Sequence, residues 1–328
     1  MIISRTPLRI SFAGGGTDIG EYYSNGSGPG VVVSAAINKY IYITVNKKFD
    51  DLIRVSYSRT EIVDTVDKVE HNIIREALKI AGVEKGIEIV YVGDIPLGSA
   101  GVGLGSSSGL AVGALNALYA FQGKHASAER LAREACQIEI DTLQHPIGKQ
   151  DQYITAYGGI NYIQFNSDES VFVDPVICRL NVKEELNKRL MLFYTGIERI
   201  SSTILKEQKA SIKSKLEYHH KMVDMAKSIR ECLMRGDFDS IGEILHEAWL
   251  LKKKLASGIS TEAIDKWYES ARRAGALGGK IVGAGGGGFL LLYCHEEKQD
   301  NVRLALSDLK ESPFKFEGQG SKIIYVHD

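Results

Sequence analysis

The sequence has no excess of charge of either sign and no membrane-length apolar run. Its 328 residues carry 40 Lys+Arg and 41 Asp+Glu, which gives a formal net charge of −1. A nearly neutral chain has no overall field that would attract nucleic acid or an anionic membrane. The first twelve residues alternate polar and apolar side chains, unlike the unbroken apolar segment of a secretory signal. We therefore expect a soluble, cytoplasmic protein that binds neither nucleic acid nor membrane.

The sequence is also poor in cysteine and lacks two common nucleotide-binding patterns. Its four cysteines are far apart, and none forms a CxxC pair or a zinc-type cluster with histidine. This spacing predicts reduced thiols and argues against a disulfide scaffold. There is no GxxxxGK[ST] motif, and no GxGxxG motif stands near the N-terminus with an acidic residue after the next strand. We therefore expect neither a Walker-type site nor a dinucleotide-binding site.

Glycine, by contrast, is abundant and clustered. The 34 glycines include clusters at residues 14–16, 98–109 and 283–288. Such clusters mark places where the main chain turns tightly or approaches a ligand closely. The central cluster lies between a predicted strand at 87–92 and a predicted helix at 110–121, and the free N–H groups of such a helix bind phosphate. The three clusters together predict one composite site, with a flexible surface loop as the ordinary alternative for the central one.

The hydrophobic pattern changes near residue 185. The first half has the pattern of strands followed by helices, and the second half that of long amphipathic helices between strands. The predicted strands cover 31–37, 39–45, 87–92, 159–165, 189–194, 289–294 and 322–326. The predicted helices cover 110–121, 127–144 with Ser127 as N-cap, 201–235, 238–256 and 261–275, with one more between the last two strands. This pattern predicts an α+β fold with domains at 1–185 and 186–328.

Three motifs follow one another along nearly the whole chain. They are residues 7–18 (PLRISFAGGGTD), 96–109 (PLGSAGVGLGSSSG) and 280–288 (KIVGAGGGG). They resemble the N-terminal substrate motif, the PxGxGLGSSS nucleotide loop and the glycine-rich third motif of the GHMP kinases, a family of sugar and isoprenoid kinases. The resemblance implies a kinase that uses ATP and Mg²⁺. It also implies a two-domain fold, with a mixed-sheet N-terminal nucleotide-binding domain and a ferredoxin-like α/β C-terminal domain.

The resemblance also assigns roles at the reaction centre. Asp151 matches the catalytic aspartate, with Arg9 expected beside it, and this carboxylate would either take the acceptor proton or only orient the hydroxyl. Glu139 and Ser107 match the positions that hold Mg²⁺. Residue type alone also allows structural roles for both acids. An inward Glu such as Glu139 can be paired with an arginine or a backbone amide, and an Asp in a polar loop, such as Asp151, is often a turn residue. Lys149 could share the role of Asp151 or be a solvated lysine.

Two binding sets follow from the same resemblance. The nucleotide-binding set consists of Gly98, Ser99, Gly101, Gly103, Leu104, Gly105, Ser106, Ser107 and Ser108. The acceptor-binding set consists of Gly16, Thr17, Asp18, Thr195, Arg199, Gly285 and Gly286. Asp18 has an alternative role as the cap of a short helix that runs through Tyr22.

The acceptor predicted by the resemblance is a phosphorylated sugar. Residues 6–9, 13–18, 150–153, 157–159 and 283–289 look like those of the subgroup that phosphorylates the anomeric hydroxyl of D-glycero-D-manno-heptose 7-phosphate. Such an acceptor needs cations beyond those that bind ATP. The alternatives are a kinase for fucose, galactose or a mannose derivative, and a catalytically silent sensor of sugar and nucleotide. The candidate cations are Arg199, Lys252, Lys253, Lys254 and Lys280.

Overall fold

Two β-sheets and their flanking helices make up the computed structural model, which describes residues 1–95, 103–198 and 201–327. The strands are β1 (Ile2–Ala13), β2 (Gly30–Lys47), β3 (Ile53–Ser56), β4 (Thr60–Val63), β5 (Ile87–Gly93), β6 (Ile160–Phe165), β7 (Val171–Pro175), β8 (Leu190–Tyr194), β9 (Ala276–Ile281), β10 (Phe289–Cys294), β11 (Lys310–Glu311) and β12 (Lys322–Val326). The helices are α1 (Gly20–Tyr23), α2 (Asn72–Ala81), α3 (Ser106–Phe121), α4 (Ala128–Cys136), α5 (Gln150–Tyr157), α6 (Leu180–Lys188), α7 (Ser201–Ser211), α8 (Leu216–Arg235), α9 (Phe238–Lys252), α10 (Glu262–Ala274) and α11 (Glu296–Ala305). Short 3-10 helices lie at Val66–Lys68 and Lys213–Lys215, and a π-helix lies at Gln137–Thr142.

The first sheet has eight strands, arranged as β12-β1-β2-β5-β3-β4, with β6 and β7 continuing from β2. It is mixed, because β3 and β5 run parallel whereas its other paired strands run antiparallel. The two strands predicted at 31–37 and 39–45 are one continuous strand, β2. A register shift opposite Pro7 and Leu8 interrupts its pairing with β1 between Ile37 and Tyr40. Such a bulge bends a strand, so the first part of β2 pairs with β6 and the last part with β5.

The second sheet has four antiparallel strands in the order β11-β8-β10-β9. Helices connect β8 to β9 and β10 to β11, which gives the β-α-β-β-α-β connectivity of a ferredoxin-like domain. The predicted α+β class and the ferredoxin-like second half are therefore confirmed. The last strand, β12, leaves this sheet and pairs with β1 in the first sheet, from Val326 opposite Ile2 onward. The division at residue 185 stays a prediction, and the residues after it also contribute a strand to the first sheet.

Strand β10 separates two apolar cores. All six of its residues are buried, and alternate side chains point to opposite faces because a strand has a period of two. Leu291 and Tyr293 pack into the large core that the first sheet shares with its helices. Leu290 and Leu292 pack into a smaller core around Trp249. The second sheet is therefore held on both faces, which places the end of β9 and the glycine cluster after it against the first half of the chain.

The predicted helices are present, with four differences in their extent. The helix at 110–121 begins earlier, at Ser106, so the three serines lie in its first turn, where free N–H groups favour hydroxyl side chains. The helix at 127–144 has the predicted Ser127 cap but continues as a π-helix after Cys136. The segment 201–235 is divided into α7, a 3-10 turn and α8, and the helix predicted to reach residue 256 ends at Lys252. Helices α2, α5 and α6 were not predicted.

None of the described helices is long and apolar enough to cross a membrane.

Candidate active site

Arg9 and Asp151 form an ion pair between the first strand and the start of α5. Arg9 lies on β1, and its Nε and Nη2 donate to the two carboxylate oxygens of Asp151 at 2.7 and 2.6 Å. Its Nη1 donates to the carbonyl oxygen of Gly103 at 2.6 Å. This two-point geometry holds both side chains in a defined orientation. The Arg9 side chain is only 3% exposed, whereas that of Asp151 is 21% exposed, so the carboxylate remains open to a bound molecule.

The N-terminus of α3 lines a cleft on one side of this ion pair, which we call the α3 cleft. Gly105 is the N-cap of α3 in a left-handed conformation, and Ser106, Ser107 and Ser108 form the first turn. The unpaired N–H groups and the positive dipole end of a 16-residue helix are suited to a phosphate. The cleft is lined by Arg9, Gly103, Gly105, Ser106, Ser107, Ser108, Glu139, His145, Pro146, Ile147, Asp151, Ser201, Ser202, Leu205, Gly283 and Ala284.

The central and third glycine clusters meet at Gly103. Its φ of +82° is disfavoured for other residues, and a Cβ there would lie 2.6 Å from the carbonyl oxygen of Val282. A Cβ on Gly283 would in turn meet the backbone of Gly103 at 2.6 Å. Gly14 belongs to the first cluster, and a Cβ there would lie 1.9 Å from the carbonyl oxygen of Val31 on β2. The backbones of the second and third clusters therefore touch, as expected for parts of one composite site.

Glu139 is a wholly buried carboxylate in the π-helix that follows α4. The Ser107 hydroxyl donates to its Oε1, and Nε2 of Gln152 donates to its Oε2 at 2.7 Å. Burial raises the pKa of Glu139, and the nearby charge of Asp151 adds to this, whereas the donors Ser107, Ser108 and Gln152 oppose it. π-Helical turns are rare and often occur at functional sites.

The surroundings of Glu139 fit a sparsely coordinated divalent cation. Within the described ranges no group of three or more His, Cys, Asp or Glu side chains could hold a metal by itself. Mg²⁺, however, commonly takes only one or two protein oxygens and completes its shell with water and phosphate. Glu139 and the Ser107 hydroxyl supply such a pair at the edge of the α3 cleft. The Oε1 atom of Gln152 is buried beside them and has no hydrogen-bond partner in the described residues. This oxygen can therefore accept a hydrogen bond from a bound group.

A second cleft lies on the other side of the ion pair, and we call it the Lys280 cleft. It shares Arg9, Ile147, Asp151, Leu205, Gly283 and Ala284 with the α3 cleft. Its other lining residues are Ser11, Gly15, Gly16, Asp18, Ile19, Gly148, Gln150, Gln208, Met222, Lys252 and Lys280. The ion pair therefore stands at the junction of two connected compartments, one facing a helix N-terminus and one rich in polar side chains.

Asp18 lies at the wall of the Lys280 cleft and does not cap α1. The N-cap of α1 is Ile19, which makes no side-chain cap. Asp18 instead accepts hydrogen bonds from the amides of Gly16 at 2.9 Å and Gln150 at 3.3 Å. Burial raises its pKa, with a contribution from the charge of Asp151, while the Gly16 and Gln150 amides oppose the shift. This acid joins the first glycine cluster to α5 and presents an oxygen-rich group to the cleft.

Lys280 is a buried cation opposite Asp18. It lies on β9, is 2% exposed, and its Nζ donates to the Ser11 hydroxyl and the Phe12 carbonyl at 3.2 Å each. Burial lowers the pKa of Lys280 to about 7, with a further lowering by the charge of Arg9 and an opposing effect of Asp18. Near neutral pH this ammonium is therefore close to its midpoint, and a bound anion would favour its charged form.

The other candidate cations are separated by the structure. Lys252 lines the Lys280 cleft and donates to the carbonyl of Ile281 at 3.0 Å. Lys253 pairs with Asp265 at 3.0 Å, and Lys254 is exposed with its Nζ 5.7 Å from the centre of the Tyr218 ring. These two lysines line neither cleft.

Several other predicted residues do not line either cleft. The Thr17 hydroxyl donates to the backbone at Gly14 and Val31, and the Thr195 hydroxyl donates to the Gly288 carbonyl, so both are used inside the protein. Lys149 pairs with Glu169 and lines a neighbouring cavity. The predicted residues that line neither cleft are Thr17, Leu104, Lys149, Thr195, Gly285 and Gly286. The predictions for Gly98, Ser99, Gly101 and Arg199 lie outside the described residues.

Comparison with known proteins identifies the family. Residues 64–159 match the GHMP kinases N terminal domain, and residues 229–311 match the GHMP kinases C terminal domain. The chain belongs to the GHMP kinase family. It is an ATP-dependent sugar kinase, that is, a phosphotransferase with an alcohol group as acceptor.

Two relatives carry names that refer to heptose phosphates. The D-glycero-alpha-D-manno-heptose 7-phosphate kinase of Campylobacter jejuni is 31% identical over 322 aligned residues, which cover 93% of each chain. A crystal structure described as a D-glycero-D-manno-heptose 1-phosphate kinase from Bacteroides thetaiotaomicron superposes with a TM-score of 0.82 at 26% identity over 100% of each chain. The L-fucokinase/L-fucose-1-P guanylyltransferase of Bacteroides fragilis is 28% identical over 93% of this chain and 35% of its own length.

Proposed function

We propose that this sugar kinase transfers the γ-phosphoryl group of ATP to the anomeric hydroxyl of D-glycero-D-manno-heptose 7-phosphate. The observation that carries the proposal is the position of the Arg9–Asp151 ion pair, which lines both clefts at once. A phosphoryl donor in one cleft and a hydroxyl acceptor in the other would meet at this pair. Holding two reactants in this way accounts for a large part of a kinase's rate enhancement.

The α3 cleft is the proposed nucleotide side. The triphosphate would be bound by the N–H groups of the first turn of α3 and by the glycine backbone before it, with Ser106 and Ser108 close by. Glu139 and Ser107 are the residues that would hold Mg²⁺, which neutralises charge on the phosphate oxygens when it is bound. Both residues line the cleft. Burial raises the pKa of Glu139, and a cation beside it would favour the charged carboxylate.

Asp151 is the proposed partner of the acceptor hydroxyl. Its carboxylate would accept the hydrogen bond of that hydroxyl and take the proton as the new O–P bond forms. Arg9 holds both carboxylate oxygens and places a positive charge beside the transferring group, where negative charge has to be offset. Asp18, across the Lys280 cleft, would accept hydrogen bonds from other sugar hydroxyls, and its backbone donors keep it in place.

The charges around the two neighbouring cavities support a phosphorylated acceptor whose phosphate lies near Lys280. The Lys280 cleft is lined by three basic side chains, Arg9, Lys252 and Lys280, against two acidic ones, Asp18 and Asp151. The cavity on the far side of Asp18 has three basic side chains against six acidic ones, including Asp18 itself. A dianion would be repelled from that cavity and attracted to the cleft. The 31% identity to the heptose 7-phosphate kinase of Campylobacter jejuni supports the same acceptor.

An unphosphorylated sugar is the second candidate acceptor, because a fucokinase relative covers 93% of this chain at 28% identity. Initial rates of ADP formation with heptose 7-phosphate, free heptose, fucose, galactose and mannose distinguish the two. The proposal predicts that heptose 7-phosphate has the highest kcat/KM and that removal of its phosphate costs at least about tenfold. Equal or better turnover of an unphosphorylated hexose would reject heptose 7-phosphate as the acceptor and leave the sugar kinase assignment in place.

A further inference from the structure

Gln208 is a buried side chain of the Lys280 cleft whose amide has no hydrogen-bond partner among the described residues. It lies on α7, is 3% exposed, and is one of the residues that line the cleft. Within the described part of the chain, its side-chain amide makes no hydrogen bond. Because Gln208 lines the cleft, a group that binds there could form a hydrogen bond with this amide. The predicted site residues do not include it, because a single Gln on an amphipathic helix carries no recognisable signal.

The position of Gln208 depends on the first glycine cluster. Gly16 has a φ of +99°, and a Cβ at this residue would lie 2.6 Å from Nε2 of Gln208. The side chain of Gln208 therefore occupies space that only a glycine leaves free. This contact joins α7, from the second half of the chain, to the turn that carries Asp18. The amide of Gln208 and the carboxylate of Asp18 both reach the same cleft.

His219 is a second buried polar side chain at the same place. It is wholly buried on α8, and its Nδ1 lies 2.9 Å from the carbonyl oxygen of Lys215. A carbonyl can only accept, so Nδ1 carries the proton and Nε2 is an acceptor. Burial lowers the pKa of His219, which favours this neutral form. No donor in the described residues reaches Nε2, which lies 3.8 Å from the same Cβ position at Gly16 that Gln208 approaches.

We infer that Gln208 is a specificity-determining residue that hydrogen bonds a hydroxyl of the sugar acceptor, and that His219 is its positioning residue. Both side chains lie beside the same Cβ position at Gly16, so a rotation of the Gln208 side chain would let its Nε2 donate to Nε2 of His219. Oε1 of Gln208 would then accept from the sugar. The His219 ring is itself fixed by Lys215 and by stacking on Tyr22, with ring centres 5.6 Å apart. This inference rests on the proposed function, since it takes the Lys280 cleft as the acceptor side.

The test is the effect of Gln208→Met on the KM values of the two substrates. Met keeps the length of the side chain but replaces the amide with a thioether, which is only a weak acceptor. The acceptor is heptose 7-phosphate, or the best acceptor of the sugar panel if that is another sugar. Gln208→Met should raise the KM of the acceptor by about tenfold and leave the KM of ATP within about twofold. Lys206→Met is the matched control on the exposed side of α7 and should change neither constant.

The positioning role of His219 has its own test. His219→Phe keeps a ring against Tyr22 but removes the acceptor, whereas His219→Gln keeps an acceptor near the Nε2 position. The Phe variant should raise the acceptor KM by about threefold to tenfold and the Gln variant should restore it. The double variant of Gln208→Met and His219→Phe should be no worse than Gln208→Met alone, because His219 acts through Gln208.

Three results would overturn the inference. The first is an unchanged acceptor KM in well-folded Gln208→Met, and the second is an equal rise in the KM of ATP. The third is additivity of the two substitutions, which would make His219 independent of Gln208. If Gln208→Met does not fold, the variants His219→Phe and His219→Gln provide the test. The proposed contact between Gln208 and His219 is rejected if His219→Gln does not restore the acceptor KM. Whether heptose 7-phosphate is the acceptor is tested separately, by the kcat/KM values of the wild-type enzyme with the different sugars.

Discussion

Burial of Lys280 predicts an unusual pH dependence of the free energy of unfolding. The pKa of Lys280 is lowered from 10.5 to about 7 in the folded protein, mainly by burial. Below pH 7 the ammonium is charged in both states, so the folded state bears the full cost of burying a charge. Above pH 7 the folded state releases its proton while the unfolded state keeps it. Stability therefore rises with pH from about 7 to about 10.5, where both states are neutral.

The size of this effect follows from the two pKa values. Each unit of pH over which the folded state is neutral and the unfolded state is charged contributes about 1.4 kcal/mol. Between pH 6 and pH 9 the contribution of Lys280 to the free energy of unfolding rises by roughly 2.6 kcal/mol. Lys280→Met removes the titrating group and keeps an unbranched apolar side chain of similar length. The difference in stability between wild type and Lys280→Met should change by this amount over that pH range.

Urea unfolding of both proteins at pH 6, 7, 8 and 9 measures the difference directly. Other titrating groups affect wild type and variant alike, so they cancel when the two curves are subtracted. Lys266→Met, at an exposed lysine on α10, is the control and should give a difference that does not vary with pH. If Lys280→Met gives the same flat line as the control, Lys280 is not a buried cation with a lowered pKa and the charge balance of the Lys280 cleft is wrong.

Three further predictions concern the reaction centre. Asp151→Asn should lower kcat by about 100-fold or more while calorimetry shows unchanged ATP binding, because shape is kept but the proton acceptor is lost; near-normal turnover would remove Asp151 from the mechanism. Glu139→Gln should raise the Mg²⁺ concentration that gives half-maximal activity, with a smaller rise for Ser107→Ala; wild-type metal dependence with lower stability would make Glu139 only a buried carboxylate. Gly103→Ala should lower the free energy of unfolding by about 1–3 kcal/mol and weaken ATP binding, because a Cβ would meet the Val282 carbonyl; wild-type unfolding and ATP affinity would show that this backbone contact is not required.

The parts of the fold that were predicted depend on local sequence. Strand β10 is apolar throughout because both faces are buried, and the glycine clusters are visible because the backbone requires them at a close contact. Helix α5 was missed because it does not have a clear apolar stripe. Its residues Gln152 to Ala156 are buried by the surrounding chain, so tertiary packing decides its conformation. As a result, Asp151 was placed in a loop, whereas it lies in the first turn of a helix.

The parts of the site that were missed depend on contacts between distant segments. Gln152 and Gln208 are ordinary polar residues on helices until the fold brings one against Glu139 and the other against Gly16. The hydroxyl of Thr17 matches a motif, but the fold uses it for backbone contacts inside the first glycine turn. A motif therefore predicts which segment forms the site, whereas the direction of each side chain is determined by packing that the sequence pattern does not show.

The most direct test of the central claim is to identify the product. Purified enzyme, ATP, Mg²⁺ and D-glycero-D-manno-heptose 7-phosphate are incubated, and the position of the new phosphate is determined by phosphorus–proton coupling in NMR spectra. The account predicts a heptose 1,7-bisphosphate, with the new phosphate on the anomeric carbon, because that hydroxyl would lie beside Asp151. A phosphate on any other carbon, or no transfer to this sugar by an enzyme that phosphorylates another one, would contradict it.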